Sequence, residues 1–145
     1  MRTALVAETI DVVALLAEVS ASKNGASVLF VGAVRDSNDG RDVCGIEYSA
    51  YAEMAEREMA AIVSEAAHHF DTDDIVVEHR VGQLGIGEAS VVIAVAHPHR
   101  AQAYEASRYI IEALKKRVPL WKREEYLDGT SEWVDPTTPQ EPARR

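Results

Sequence analysis

Residues 26–34, Ala-Ser-Val-Leu-Phe-Val-Gly-Ala-Val, form an almost unbroken apolar, β-branched run between the loop residues Asn24-Gly25 and the charge of Arg35. A run of that length and composition reads as a β-strand covered on both faces, which obliges the chain to supply packing on either side of it. Gly32 within it marks a bulge or a close backbone approach. Around this strand the other elements fall in order. Residues 2–7 form a short strand, and Thr9 is placed to cap a helix through Val19 with a broad apolar stripe of Val12, Val13, Leu15, Leu16 and Val19. Asp39-Gly40 signals a hairpin into a strand over 43–51. Residues 53–70 hold no Gly or Pro and carry helical periodicity, and 75–81 alternates as a half-buried strand.

The glycines of Gly82-Gln83-Leu84-Gly85-Ile86-Gly87 fit neither a dinucleotide fingerprint nor a lysine-ended phosphate loop, and they lead into a strand over 90–96 rather than a helix. They read as a strand connection. His97-Pro98 opens a helix to about Lys116, Pro119 stops it, and 120–127 with 131–134 makes a C-terminal hairpin about Asp128-Gly129. Strands joined directly to strands and interleaved with helices define an α+β fold, with a largely antiparallel sheet and three main helices. Residues 1–134 form one domain, and the proline-rich polar stretch 135–145 has a disordered composition.

The formal net charge of −9 argues against general affinity for nucleic acid or an anionic membrane. No stretch approaches the roughly 18 apolar residues of a membrane span and no leader pattern opens the chain, so the default compartment is the cytoplasm. The single cysteine, Cys44, has no partner for a disulfide or a metal pair and reads as a small core residue.

Against that acidic background, five cations fall within Lys115–Arg123, around Pro119 and Trp121. Two readings are open: a solvated helix end answering its dipole, or a focal site for an anion. Helical geometry divides the cluster. Ala103, Tyr104, Ser107, Ile110, Ile111, Leu114 and Val118 gather on one face, and Lys116 pairs with Glu112 on the opposite one. Lys115 lies roughly 40° from Ile111, at the apolar edge, where it either snorkels or points into a cleft. Lys122 follows beyond the proline-forced turn. At the other end of the same helix, His99 and Arg100 stand by free backbone N–H groups that attract anions. His97 and His99 serve capping and packing or, alternatively, a metal, although their spacing is a weak ligand signal.

Phe30-Val31-Gly32-Ala33-Val34-Arg35, Glu47-Tyr48 leading into a helix with Met54, His79-Arg80-Val81-Gly82, His99-Arg100, and Lys115 with Pro119-Leu120-Trp121-Lys122-Arg123-Glu124 together resemble the large, catalytic subunit of molybdopterin synthase over residues 26–134. The resemblance implies an α/β-hammerhead fold. It implies an enzyme that installs two sulfurs on cyclic pyranopterin monophosphate as the dithiolene of molybdopterin. The sulfur comes from the C-terminal thiocarboxylate of a small ubiquitin-like carrier subunit, in a heterotetramer built on a homodimer of large subunits. No metal or organic cofactor is implied. By the same resemblance Arg35, His99 and Arg100 bind the pterin phosphate, with the His-Arg pair reaching across the dimer. Lys115 stabilises the thiocarboxylate and its adduct, and Lys122 moves a proton at the pterin. Arg117, Arg123 and Glu124 are secondary candidates, Glu124 as an orienter of Lys122. One departure is that Asp135-Pro136-Thr137 follows Trp133-Val134 where the family often has a further arginine, leaving Arg144 or Arg145 as the candidate replacement. The alternative function is a non-catalytic module that uses the same cations to capture the acidic C-terminal tail of a partner.

Overall fold

The computed structural model describes residues 1–134. The expectations for the tail, its disorder and the roles of Arg144 and Arg145 lie outside the described residues. The element order is β1 (Arg2–Val6), α1 (Val12–Val19), β2 (Ala26–Ala33), β3 (Ser37–Asn38), β4 (Arg41–Ala50), α2 (Ala52–Phe70), β5 (Ile75–Arg80), β6 (Gly82–Gly85), β7 (Ala89–His97), α3 (Arg100–Arg117), β8 (Leu120–Tyr126) and β9 (Ser131–Val134). This is the expected α+β order with three helices and a C-terminal hairpin.

One sheet runs β1-β5-β7-β2, and a second runs β3-β4-β8-β9 with β6 also paired to β4. The β1–β5 pairing is parallel and the other pairings are antiparallel. Helices α2 and α3 cover one face of the first sheet, with Met59, Ile62, Ile110 and Leu114 packed on Val77, Ile93 and Val95. Helix α1 covers the other face, where Leu15 and Val19 meet Val76, Val92 and Ala94. The strand covered on both faces is therefore β7, buried from Ser90 to His97, and not β2. Strand β2 sits at the sheet edge and leaves Val31 exposed, because a second β neighbour is absent on that side among the described residues. Gly32 meets the bulge expectation, since the register slips between Gly32 and Ala33, and what crowds its missing Cβ is a side chain rather than backbone, Val91 Cγ1 at 2.7 Å.

Helix α1 starts later than Thr9 because the Asp11 carboxylate accepts the Ala14 N–H at 3.1 Å. Ile10, just before that cap, is buried with Leu15 in one cluster, a hydrophobic staple that sets the entry angle of the chain. A second correction concerns Cys44. Val43 pairs with Tyr126 and Gly45 with Glu125, so Cys44 is the extra residue of a bulge. The bulge puts Val43 on the same inward face as Ile46 and Tyr48, in a small core with Val34, Leu84 and Tyr126. Cys44 is turned out to solvent. The three-glycine segment 82–87, expected as a connection, is itself a strand over most of its length, with β6 laid along β4 and Gly82 and Gly87 at φ 101° and 82°.

Candidate functional site

The two lysines are brought together from separate elements. Helix α3 ends at Arg117 because Pro119 forces Val118 out of the helical region, to φ −84° and ψ 124°. The chain then enters β8, whose register against β4 sets Lys122 opposite Tyr48, Arg123 opposite Glu47 and Glu124 opposite Ile46. Strand alternation therefore turns Lys122 and Glu124 to one face with Tyr48 and turns Arg123 to the other. Ile111, Leu114, Lys115 and Val118 of the α3 end wall a small cleft against Tyr48, His79, Val91 and Leu120. Lys115 thus lines the cleft while remaining exposed to solvent. Burial against those walls, with the charge of Lys122 added, pushes the Lys115 ammonium below its usual range.

Lys122 is held by a buried acid. Glu124 is 2% exposed, and its carboxylate accepts from Asn38 Nδ2 at 2.7 and 2.9 Å and from the Tyr126 hydroxyl at 2.9 Å. The Lys122 ammonium lies 3.5 Å from Glu124 Oε1. Burial by itself would raise the Glu124 carboxyl, but these donors and the lysine charge outweigh it and hold the group below the ordinary carboxylate range. Burial and the bond to Glu124 push the Tyr126 phenol up to about 12. Three side chains from β3 and β8, Asn38, Glu124 and Tyr126, so fix one amine.

His79 is the second buried titratable group of the cleft. It is 4% exposed, its Nδ1 lies 2.9 Å from the Arg80 carbonyl oxygen, and its ring meets Tyr48 edge-on at 5.1 Å and 70°. Burial pushes its imidazole down to about 4, the bond to Arg80 opposing and the Lys115 charge reinforcing the shift.

The other expected residues divide by position. Arg35 follows β2 at the cleft end: Gly32 pairs with Val91, which pairs with His79. His99 and Arg100 lie at the opposite end, since His97 pairs with Ala26 at the start of β2. An eight-residue strand separates those ends by roughly 23 Å, and Lys115 stands about 22 Å along α3 from Arg100. One chain therefore gathers Arg35, Lys115 and Lys122 but not the His-Arg pair. Among the described residues Arg35, Arg100 and Lys115 have no ion pair. Arg123 is committed to Glu47 at 2.6 Å, and Arg117 ties α3 to α2 through Glu58 at 3.1 Å and Glu65 at 2.6 Å.

The start of α3 also differs from expectation. The helix begins at Arg100 with His99 as its N-cap, so Pro98 lies outside it. The His99 N–H donates to His97 Nδ1 at 2.8 Å, and the Gly25 N–H donates to the His97 carbonyl at 3.2 Å, which pins the loop before the first turn can form. The ring of His97 is occupied as a cap, and no group of three or more His, Cys, Asp or Glu is placed to hold a metal among the described residues. Tyr104 is exposed, because the buried stripe of α3 runs through Ala103, Ala106, Ser107, Ile110 and Leu114.

Sequence reasoning assigned no role to Asn38, Tyr126 or His79. For His79 the signal was present: it stands on the inward side of an alternating strand with Ile75 and Val77. Asn38 meets Glu124 across 86 residues of sequence, a contact no local pattern encodes.

The class is an α+β domain with Lys115 on the wall of a cleft, Lys122 held by the buried Glu124 on the neighbouring strand β8, and Arg35 without an ion pair among the described residues at the same end of the sheet. Residues 5–117 match the family described as MoaE protein, and the chain belongs to that family. It is 46% identical over 109 residues to a molybdopterin synthase catalytic subunit of Thermoplasma volcanium, covering 75% of this chain and 80% of that one. It is 38% identical over 125 residues to the same-named subunit of Emericella nidulans, covering 86% of this chain but spanning only 64% of that longer relative. Among solved structures, molybdopterin synthase from Staphylococcus aureus superposes with a TM-score of 0.84 at 38% identity, covering 90% of this chain and 94% of that one. No helix among the described residues is long and apolar enough to cross a membrane.

Proposed function

We propose that this chain is the catalytic subunit of a molybdopterin synthase, transferring sulfur from the C-terminal thiocarboxylate of a small ubiquitin-like subunit to cyclic pyranopterin monophosphate. The placement of Lys122 on β8 near enough to the cleft-lining Lys115 for its charge to be felt there carries this reading. Both reactants are anions, and two anions approach only where cations offset their repulsion and stabilise the charge that develops. Lys115, partly desolvated by apolar walls, takes the thiocarboxylate and the tetrahedral adduct formed on its acyl carbon. Its ammonium, lowered by burial and by the charge of Lys122, gives up a proton more readily than an ordinary lysine. Lys122, anchored by Glu124, moves the proton at the pterin as sulfur adds.

The separation of Arg35 from His99-Arg100 within one chain supports a site completed by a second copy. Arg35 of one subunit and the His-Arg pair of the other then share the phosphate, within a heterotetramer of two large and two small subunits. The test is to combine the chain with a thiocarboxylated small subunit and cyclic pyranopterin monophosphate and to quantify molybdopterin. Lys115→Ala and Lys122→Ala are each expected to lower the rate by about 100-fold or more, the range for loss of a positioned acid or base. Variants that fold, bind the small subunit and still form the dithiolene at the parental rate would refute the assignment.

A further inference from the structure

The function proposed above gives no part to the ring of His97, the last residue of β7. That side chain is buried, with the residue 6% exposed, and its Nδ1 accepts the His99 N–H at 2.8 Å. Accepting from the backbone N–H two residues on is what an Asn or Asp side chain does in an Asx turn. Here an imidazole does it. Because Nδ1 accepts, it carries no proton, and the ring is the neutral Nε2–H tautomer. Pro98 has no N–H, so the His99 N–H is the first donor beyond the strand that a side chain can catch.

That turn decides what the start of α3 shows to solvent. His99 is the N-cap, extended at φ −124° and ψ 139°, and its own side chain makes no capping hydrogen bond. The first bond inside the helix runs from the Ala103 N–H to the His99 carbonyl at 3.3 Å. The N–H groups of Arg100, Ala101 and Gln102 therefore keep no partner within the helix. The rings of His97 and His99 lie 5.8 Å apart at 47°, so the buried ring also backs the exposed one. Behind them the loop has no slack. His97 is paired with Ala26 of β2, the Gly25 N–H donates to the His97 carbonyl at 3.2 Å, and a Cβ on Gly25 would stand 2.6 Å from the Pro98 carbonyl oxygen.

We propose that His97 is a positioning residue: its imidazole carries the rigidity of the β2–β7 ladder into the exposed His99-Arg100 pair and holds that pair in the orientation that takes the substrate phosphate. This rests on the phosphate role given to the pair above. An exposed histidine and arginine on a free loop lose conformational entropy when they close on a ligand. With the His99 N–H already caught and the loop strapped to Gly25, that loss falls at folding and not at binding. The His99 ring is left out of the capping, free to meet an anion beside the open N–H groups.

Two variants separate acceptor from packing. His97→Leu keeps a branched side chain in the space and removes the acceptor, whereas His97→Asn sets an amide oxygen where Nδ1 stands. The assay is calorimetric binding of cyclic pyranopterin monophosphate to the full chain assembled with its small subunit in the carboxylate form, which cannot react. The dissociation constant is expected to rise about fivefold in His97→Leu, the worth of one ordinary hydrogen bond, and to stay within about twofold of the parent in His97→Asn. In a His99→Ala/Arg100→Ala background His97→Leu should add less than about twofold, because residues that act through one another are not additive, whereas a packing defect elsewhere would add in full. Parental affinity in His97→Leu, an Asn variant that behaves like Leu, or full additivity overturns the proposal. Should His97→Leu not fold, the parent answers alone. Long-range ¹H–¹⁵N spectra of the ¹⁵N-histidine chain, above the range in which histidine titrates, are expected to show His97 with Nδ1 bare and its proton on Nε2, and a proton on Nδ1 overturns the proposal. Parental affinity in Arg100→Ala and in His99→Ala refutes the phosphate role of the pair and the proposal with it. A loss in those variants without one in His97→Leu overturns the role of His97 alone.

Discussion

The buried imidazole of His79 gives the fold an acid-sensitive limb of calculable size. Its ordinary value is 6.5 and the folded value is about 4. As pH falls below 6.5 the unfolded chain takes up a proton there, whereas the native ring resists it until about pH 4. The unfolded state therefore binds more protons throughout that window, and stability contributed by the neutral ring is complete above 6.5 and drains away towards 4. Over the whole window the gap is worth roughly 3 kcal/mol, a large share of a domain's usual reserve. Glu124 acts lower on the scale. Its folded value is depressed, so its contribution is present above the ordinary carboxylate range and is lost only as pH falls through and below it. Urea unfolding followed by circular dichroism from pH 7 to about 4.5 separates the two. The parent is expected to lose roughly 2.5 kcal/mol more than His79→Phe or His79→Gln across that interval, whatever their starting stabilities. Parallel pH profiles for parent and variants, within about 0.5 kcal/mol, would refute the claim that the native ring is held neutral.

Three further outcomes follow from single contacts. Asn38→Ala removes the amide nitrogen that donates to both oxygens of the buried Glu124 carboxylate and is expected to cost about 2 kcal/mol, lowering the thermal midpoint by roughly 4–8 °C in calorimetry; a shift within error of the parent would mean Glu124 does not depend on Asn38. Gly25→Ala would set a Cβ 2.6 Å from the Pro98 carbonyl oxygen, so it should cost about 1–3 kcal/mol in urea unfolding and weaken binding of cyclic pyranopterin monophosphate through the displaced His99-Arg100 loop. Cys44, displayed on its bulge, should react in the native protein with an aromatic disulfide reagent at a rate within about tenfold of that in urea, and a protected thiol would contradict the placement of the bulge.

Local chemistry made most of the fold legible in the sequence. Element types follow from periodicity and from Gly and Pro, which act within a few residues, so the helices over 52–70 and 100–117 and the hairpin at Asp128-Gly129 emerged within a residue or a few of their observed bounds. Misreadings arose where a distant partner decided the matter. An apolar run does not state whether it will be central or at an edge, so the fully covered strand proved to be β7 rather than β2. Alternation along β4 could not register the bulge that turned Cys44 outward, because a bulge is defined by the opposing strand. The start of α3 moved past Pro98 because the ring of His97 took the N–H of His99.

By itself the sequence determined that this is an acidic α+β domain, that Pro119 breaks a helix between two lysines, and that Lys115 stands at the edge of the apolar stripe while Lys116 faces away from it. Those conclusions need only bond geometry, helical pitch and the missing N–H of proline. The tertiary structure decided what surrounds each amine. Glu124 meets Asn38 only because β3 and β8 both join the β4 sheet, and Lys115 meets the His79 cleft only because α3 lies across β7. It also set Arg35 and His99-Arg100 at opposite ends of one strand. Burial and charge at a site are sums over groups distant in the chain, and they acquire values only once the sheet has aligned them.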